Sequence, residues 1–139
     1  MAQLKLIIIT PKKVALEKEI DGVTLPSSEG EITILPHHVT LFSLLVEGVV
    51  KYWVGKDSDF LAIGGGYVET DGKAVRLLVS RAYGQDAIDE EQTKHALVEA
   101  QERMKNAKSE DARKEISSLL RRSMVDAKLL RKKRRSSSS

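Results

Sequence analysis

Two adjacent histidines, His37 and His38, are the residues of this sequence with the most obvious capacity for chemistry. Imidazole nitrogens bind metal ions and transfer protons near neutral pH. The pair follows the stretch "GEITILP", whose alternating hydrophobic residues predict a strand that ends before Pro36. Neighbouring residues of an extended chain point to opposite sides, so the two imidazoles are poorly placed to bind one metal ion together.

No second group completes a metal site or a catalytic site in this sequence. There is no cysteine, no H-x-H or H-E-x-x-H motif, and no G-x-S-x-G nucleophile turn. We therefore predict no catalytic residue and no metal ligand. We expect the two histidines to be polar side chains of a loop at one end of a domain.

Three consecutive glycines, Gly64 to Gly66, are a second candidate, because glycine-rich loops bind phosphate. Such a loop requires a helix N-terminus immediately after the glycines. Here a strand-like stretch and the hairpin signal "TDGK" follow instead. We therefore predict a bulge or a close approach of two backbones.

Positive charge is concentrated near the C-terminus, although the net charge is only +3. Residues 103–135 contain thirteen Lys or Arg and four Asp or Glu, whereas residues 86–102 contain one and six. Such a segment attracts nucleic acid, anionic lipid or an acidic protein loop, unless it is simply the solvated face of helices. No aromatic residue follows Tyr83, which disfavours stacking on nucleic acid bases.

Short strands separated by turns fill the first 84 residues and predict an antiparallel sandwich or barrel. The clearest strand is "LKLIIIT", in which Leu4, Leu6 and Ile8 share one face. Further strands are predicted in "GVTL", "ITIL", "VVKYWV", "FLAI" and "AVRLLVS". The longest aliphatic run ends at Ile9 and is far too short to cross a bilayer, so we expect membrane association only through partners.

A helical period begins at Ile88 and predicts two helices with a loop at residues 106–109. Asp89 and Gln92 form a capping-box pattern at the first helix, and Ser109 is the N-cap candidate of the second. The apolar stripes are narrow and rich in alanine, so this hairpin should be held loosely and be able to change partner. The stripe residues are Ala96, Leu97, Ala100, Met104, Ala107, Ala112, Ile116, Leu119, Leu120, Ser123, Ala127 and Leu130.

Several short stretches have a recognisable order. The pattern V-x-L-P … G-E-x-G-I-x-P-G-H-A-P-L is matched by Val23, Leu25, Pro26, Gly30, Glu31, Ile34, Pro36, His38 and Leu41. A second pattern consists of two glycines, an aromatic residue and then V/L-E-V. It is matched by Gly65, Gly66, Tyr67, Val68 and Glu69. In order and spacing, these stretches resemble the epsilon subunit of F-type ATP synthases over nearly the whole chain. The sequence departs from the family at Thr33 and His37, which replace glycines, and at Val39 and Thr40, which replace Ala-Pro.

This resemblance implies an N-terminal antiparallel β-sandwich followed by a C-terminal two-helix antiparallel hairpin. We predict a rotor-docking sandwich at residues 1–85, a regulatory hairpin at 86–135 and a disordered tail at 136–139. The implied function is that of a non-catalytic rotor subunit, which joins the gamma subunit to the membrane ring and inhibits ATP hydrolysis by the alpha/beta hexamer. The implied location is peripheral, on the cytoplasmic face of the bacterial plasma membrane. The alternative is a small nucleic-acid-binding protein that uses the basic second helix.

The resemblance also implies roles for individual residues. Glu31 and His38 would lie on one loop at the end of the sandwich that faces the membrane ring, with His37 as a polar neighbour. In the family, an extended hairpin reaches an acidic loop of the beta subunit, which implies an inhibitory basic face on the second helix. The members of this basic face are Arg113, Lys114, Arg121, Arg122, Lys128 and Arg131.

Some bacterial members of the family bind ATP through a motif resembling I/L-D-x-x-R-A at the start of the first helix. Ile88 and Asp89 match this motif, whereas Gln92 stands at the arginine position. Arg121 and Arg122 on the second helix could contact the phosphates. No cofactor is predicted apart from ATP as a regulatory ligand of these residues.

Overall fold

The structure, a computed structural model, describes residues 3–37 and 40–132. Within them, ten strands precede a 3₁₀ turn and two helices. The strands are β1 (Leu4–Ile9), β2 (Val14–Ile20), β3 (Gly22–Ser27), β4 (Gly30–Ile34), β5 (Leu41–Leu45), β6 (Gly48–Val54), β7 (Asp57–Ile63), β8 (Gly66–Thr70), β9 (Ala74–Val79) and β10 (Ala82–Tyr83). The turn is Gln85–Ala87, and the helices are α1 (Glu90–Asn106) and α2 (Glu110–Arg131). His38 and the tail predicted at 136–139 lie outside the described residues.

Hydrogen bonding joins the strands in the order β10-β7-β6-β3-β5-β8-β9-β1-β2, and β4 pairs with β3. Every described pairing is antiparallel except that of β1 with β9, which is parallel. β2 and β6 are distant in this order but contact each other, so the sheet folds back on itself. The predicted β-sandwich followed by a helical hairpin is confirmed.

The core of the sandwich is built by alternation along the strands. Leu4, Leu6 and Ile8 of β1 are fully buried, as their period of two predicts, while Lys5 between them is exposed. The other fully buried side chains of this core are also aliphatic: Ile20, Val23, Leu25, Ile34, Val50, Ile63, Val68, Val75 and Leu77. This core is therefore made by strands alone.

The glycine run lies where the start of β8 approaches β9. A Cβ atom added to Gly66 would lie 2.0 Å from the carbonyl oxygen of Leu78. A Cβ atom added to Gly65 would have only an ordinary contact, 3.5 Å from the carbonyl oxygen of Leu45. The predicted close approach of backbones is confirmed at Gly66.

Replacing Gly66 with alanine should destabilise the sandwich, whereas replacing Gly65 should not. The methyl group of Gly66→Ala must displace the backbone of β9, and overpacking of this kind costs about 1–3 kcal/mol or more. Gly65→Ala adds the same atom where there is room for it. Urea unfolding of the two variants measures the difference, and equal midpoints would contradict the close-packing explanation.

Both helices begin at the predicted caps. An Asp89 carboxylate oxygen accepts a hydrogen bond from the Gln92 backbone N–H at 2.9 Å. Ser109 Oγ accepts one from the Ala112 backbone N–H at 3.1 Å. Residues 107–109 connect the helices, so the predicted helix starts and the loop between them are confirmed.

The contact between α1 and α2 is narrow. Ala100 of α1 and Ile116 of α2 are buried in the hairpin, whereas Ala96, which was expected in the stripe, is exposed. Thr93 is buried instead, and its hydroxyl donates a hydrogen bond to the Asp89 carbonyl at 2.8 Å. In the described chain the hairpin thus buries few side chains, and little apolar area, between its own helices. In the described part of the chain, neither helix has the length and apolar character needed to cross a membrane.

Candidate functional site

The turn between β3 and β4 presents Glu31 at one end of the sandwich. Gly30 has a φ of 116°, a left-handed conformation that favours glycine, and the side chain of Glu31 after it is exposed. The Ser28 backbone N–H donates a hydrogen bond to the Leu44 carbonyl at 3.1 Å. This bond holds the turn beside the end of β5.

The turn that follows β4 lies at the other end of this strand. His37 is exposed, and its backbone N–H donates a hydrogen bond to the Gly72 carbonyl at 3.0 Å. The strand from Glu31 to Ile34 spans about 10 Å at roughly 3.3 Å per residue. Glu31 and His37 therefore do not share a loop, which corrects the expected arrangement. His38 lies outside the described residues.

An exposed apolar strip, made by Phe42, Leu44 and Val46, runs along β5 and one residue beyond it. The exposed fractions of these side chains are 63%, 60% and 43%. The Phe42 ring stacks on Tyr67 of β8 at a centroid distance of 5.1 Å. Contiguous exposed apolar surface marks binding sites for protein partners. The sequence signal for this strip is the alternation in "LFSLLV", for which no role was predicted.

All six residues of the predicted basic face are exposed on α2. At about 100° per residue, five of them fall within an arc of roughly 100°, whereas Arg122 lies on another side of the helix. The five are Arg113, Lys114, Arg121, Lys128 and Arg131. Among the described residues, none of the six forms an ion pair, so no described carboxylate neutralises the positive charge of the basic face.

The end of α2 is fastened to the sandwich by four residues that we call the C-terminal clamp: Tyr83, Gln85, Asp126 and Leu129. The Tyr83 hydroxyl donates a hydrogen bond to the Asp126 carboxylate. The Gln85 side-chain amide donates one to the Leu129 carbonyl at 2.7 Å and another to the Lys132 carbonyl. The Leu129 side chain is fully buried. α2 packs on β6, β7 and the 3₁₀ turn, so the clamp lies where the hairpin meets the strands.

The contact between the end of α2 and the sandwich has two further features: a raised pKa of Tyr83 and a cation–π interaction of Lys132. Burial raises the pKa of Tyr83, and the Asp126 carboxylate adds to this, while Arg81 acts in the opposite direction. The hydroxyl therefore keeps its proton, and remains a donor, throughout the neutral range. The Lys132 ammonium also lies 5.7 Å from the centre of the Phe60 ring on β7, within range of a cation–π interaction.

In the part of the chain that the structure describes, no group of three or more His, Asp or Glu residues could hold a metal ion.

The sequence model of the family described as ATP synthase, Delta/Epsilon chain, beta-sandwich domain matches residues 3–85. The chain belongs to the ATP synthase delta/epsilon chain family.

Individual relatives agree with this epsilon-chain membership. The ATP synthase epsilon chain 2 of Syntrophotalea carbinolica is 37% identical over 127 residues, covering 90% of this chain and 92% of the relative. A chain of the Euglena gracilis mitochondrial ATP synthase, solved with OSCP, F1 and the c-ring, matches at a TM-score of 0.82 with 22% identity. That match covers 92% of this chain and 81% of the other.

A chain from the central stalk and c-ring structure of the Tetrahymena thermophila mitochondrial ATP synthase matches at a TM-score of 0.65 with 14% identity. It covers 91% of this chain and 96% of the other. At these identities the two structures show that the fold is shared. None of the relatives supports the nucleic-acid alternative.

The residues predicted from the nucleotide motif of the epsilon family do not line one cavity in the described structure. Ile88 and Asp89 line an open cavity of about 290 Å³ together with Asp126. Arg121 and Arg122 line a separate groove of about 640 Å³ between α2 and the sandwich. The Asp89 carboxylate already caps α1, and Asp126 adds a second carboxylate to the smaller cavity. ATP binding therefore stays a prediction.

Proposed function

We propose that this chain is a non-catalytic rotor subunit of an F-type ATP synthase, which connects the gamma subunit to the membrane ring and inhibits ATP hydrolysis through its hairpin. The observation that carries this proposal is that two exposed surfaces of different chemistry lie on the two parts of one chain. The apolar strip belongs to the sandwich, and the basic face belongs to α2. Together with membership of the epsilon-chain family, the separation of the two surfaces supports one partner for the sandwich and another for the hairpin. The subunit would be peripheral, on the cytoplasmic face of a bacterial plasma membrane.

The apolar strip is the surface that we assign to the gamma subunit. Phe42 and Leu44 are each more than half exposed and lie on one face of β5, which suits burial against a helix of a partner. Apolar and aromatic side chains of this kind form the centres of stable protein interfaces. A contact that transmits torque must persist while the rotor turns. A buried apolar surface is consistent with such a permanent contact, whereas a charged surface is less so.

Docking to the membrane ring is assigned to Glu31 and His38. The exposed carboxylate of Glu31 stands at one end of the sandwich and is suited to polar loops of a ring subunit. The Euglena gracilis complex that contains the matching chain also contains a c-ring, which supports a ring partner. Because Glu31 and His37 are separated by β4, the contributions of Glu31 and His38 must be tested one at a time.

Glu31→Ala should reduce the ion pumping driven by each ATP hydrolysed, while leaving the isolated chain folded. Substitutions of exposed turn residues usually change stability by less than about 0.5 kcal/mol. Pumping and hydrolysis are measured together in inverted membrane vesicles, with His38→Ala as a separate variant. Glu29→Ala, which removes an exposed carboxylate from the same turn, is the matched control. Full coupling in the Glu31 variant, or its unfolding, would contradict the ring assignment.

The basic face is assigned to the acidic loop of the beta subunit in the alpha/beta hexamer. Its charges have no ion-pair partners among the described residues, so they can pair with external carboxylates without breaking internal ion pairs. Several such pairs that are partly shielded from water contribute more than isolated surface pairs, and they weaken as salt rises. The hairpin must leave the sandwich to reach this partner.

A further inference from the structure

Met124 is an exposed thioether in the middle of the basic face of α2. We propose that Met124 is a redox-sensitive contact of this face: a peroxide oxidises its sulfur, and the resulting polar side chain weakens the binding of the face to its acidic partner. The modification itself is a property of the isolated chain. Its effect on ATP hydrolysis rests on the inhibitory function proposed above.

The helical period places Met124 among the positive charges of α2. At about 100° per residue, all five residues of the basic face that share one side of the helix lie within roughly 80° of Met124. Arg121 stands three residues before it and Lys128 four residues after it, which makes both of them neighbours on the helix surface. The Met124 side chain is 55% exposed, so it faces solvent and not α1 or the sandwich.

Met124 gives the basic face an apolar centre. Only two large apolar side chains of α2 are strongly exposed, those of Leu119 and Met124. Leu119 lines the groove between α2 and the sandwich, so Met124 alone belongs to the basic face. Protein interfaces combine an apolar centre with a polar rim, and Met is enriched in them. A partner of the basic face therefore has to cover the thioether as well as pair with the charges.

The chemistry of Met124 follows from its thioether group. The chain has no cysteine, so the sulfur atoms of Met1, Met104 and Met124 are its only ones. A lone pair of the sulfur attacks one oxygen of the peroxide, and the S–O bond forms as the O–O bond breaks. The other oxygen takes up a proton of the peroxide and leaves as water. The sulfur loses two electrons and the peroxide gains them, which yields a polar sulfoxide that reductases can return to the thioether.

The oxidant and the partner compete for the same side chain. When the basic face is free, Met124 is open to the oxidant. When a partner covers the face, the sulfur is shielded. A sulfoxide formed in the free state places a polar oxygen where the partner needs an apolar contact, so it opposes binding.

Oxidation is measured first on the isolated full chain, which is treated with hydrogen peroxide and analysed by peptide mass mapping. Met124 should gain one oxygen atom faster than Met104, which lies on α1 and is only partly exposed. Met124 should also be oxidised more slowly in the assembled complex than in the isolated chain, because the partner covers it there. Equal rates in the complex and in the isolated chain would overturn the contact, whatever hydrolysis does.

The effect on the partner is measured by assembling the oxidised chain with the other subunits. Hydrolysis should rise about two- to fourfold, less than on deletion of the hairpin, because one apolar contact is lost and the charges remain. Met124→Gln, which is polar without oxidation, should give a similar rise in the absence of peroxide. Met124→Leu keeps the apolar volume but forms no sulfoxide, so peroxide should leave its hydrolysis unchanged.

The matched control is Met104→Leu, which removes the thioether of α1 and should keep the full response to peroxide. A response that persists in Met124→Leu would overturn the assignment of the effect to Met124. Hydrolysis that rises on deletion of the hairpin, but neither on oxidation nor in Met124→Gln, would also overturn the proposal. Protection of Met124 in the complex, together with hydrolysis that is unchanged even by the deletion, would support the contact and contradict the inhibitory function.

Discussion

Deletion of residues 86–139 is expected to raise ATP hydrolysis by the assembled complex about five- to tenfold. The deletion removes several ion pairs to the beta subunit, each with the free energy usual for an exposed pair. The deletion takes away the basic face together with Leu129, while every residue of the sandwich core remains. The measurement is steady-state hydrolysis by the complex, with subunit content checked on a gel. Assembly should persist, because the apolar strip assigned to gamma is untouched.

A charge-specific variant separates the basic face from the rest of the hairpin. Arg113, Arg121 and Arg131 lie on one side of α2, and replacing all three with glutamine should give part of the same increase. The control replaces Arg103, Lys105 and Lys108 with glutamine, which removes three exposed charges from α1 and the loop after it. Hydrolysis unchanged by both the deletion and the α2 variant would leave the basic face as ordinary solvated surface.

A chain of residues 1–84 is expected to unfold in one cooperative transition and to co-purify with the gamma subunit. The described core side chains lie between Leu4 and Val79, so the fragment keeps the whole core and loses only the covering of its outer face by α2. Chemical denaturation followed by the fluorescence of Trp53 measures the transition.

Leu44→Asp in the same fragment tests the gamma surface. This change places a carboxylate in the centre of the apolar strip, where the side chain is 60% exposed, so folding should be retained and gamma binding should be lost. A fragment that is disordered while the full chain is folded would show that the two halves form one core. Gamma binding by a folded Leu44→Asp fragment would exclude the strip as the contact.

The sequence predicted seven of the ten described strands and missed β2, β5 and β10. Leu4, Leu6 and Ile8 were recognised because one face of β1 is buried. β2 was missed because three consecutive charged residues, Glu17 to Glu19, interrupt the alternation of Val14, Leu16 and Ile20. The parallel pairing of β1 with β9 was also outside prediction, since alternation reports which face is buried but not which strand lies alongside.

The helices show the same limit. Asp89 and Ser109 were predicted as caps because a cap depends on bonds within a few residues. Leu129 was not placed in any stripe, because its burial comes from the sandwich, and the helical period of α2 describes only the face toward α1. The separation of Glu31 from His37 was missed for a related reason: spacing in the sequence did not show that β4 lies between them.

The parallel pair of β1 and β9 has a consequence for synthesis of the chain. Lys5 pairs with Ala74, so β1 leaves the ribosome well before β9, and the sandwich cannot close until β9 follows. Pairings so distant along the chain slow folding, because the long loop between them loses entropy before any contact is gained. During that interval the run "LKLIII" of β1 has one unpaired edge, and unpaired strand edges promote aggregation. The hairpin emerges only after β9, so its docking surface on β6 and β7 is synthesised before it.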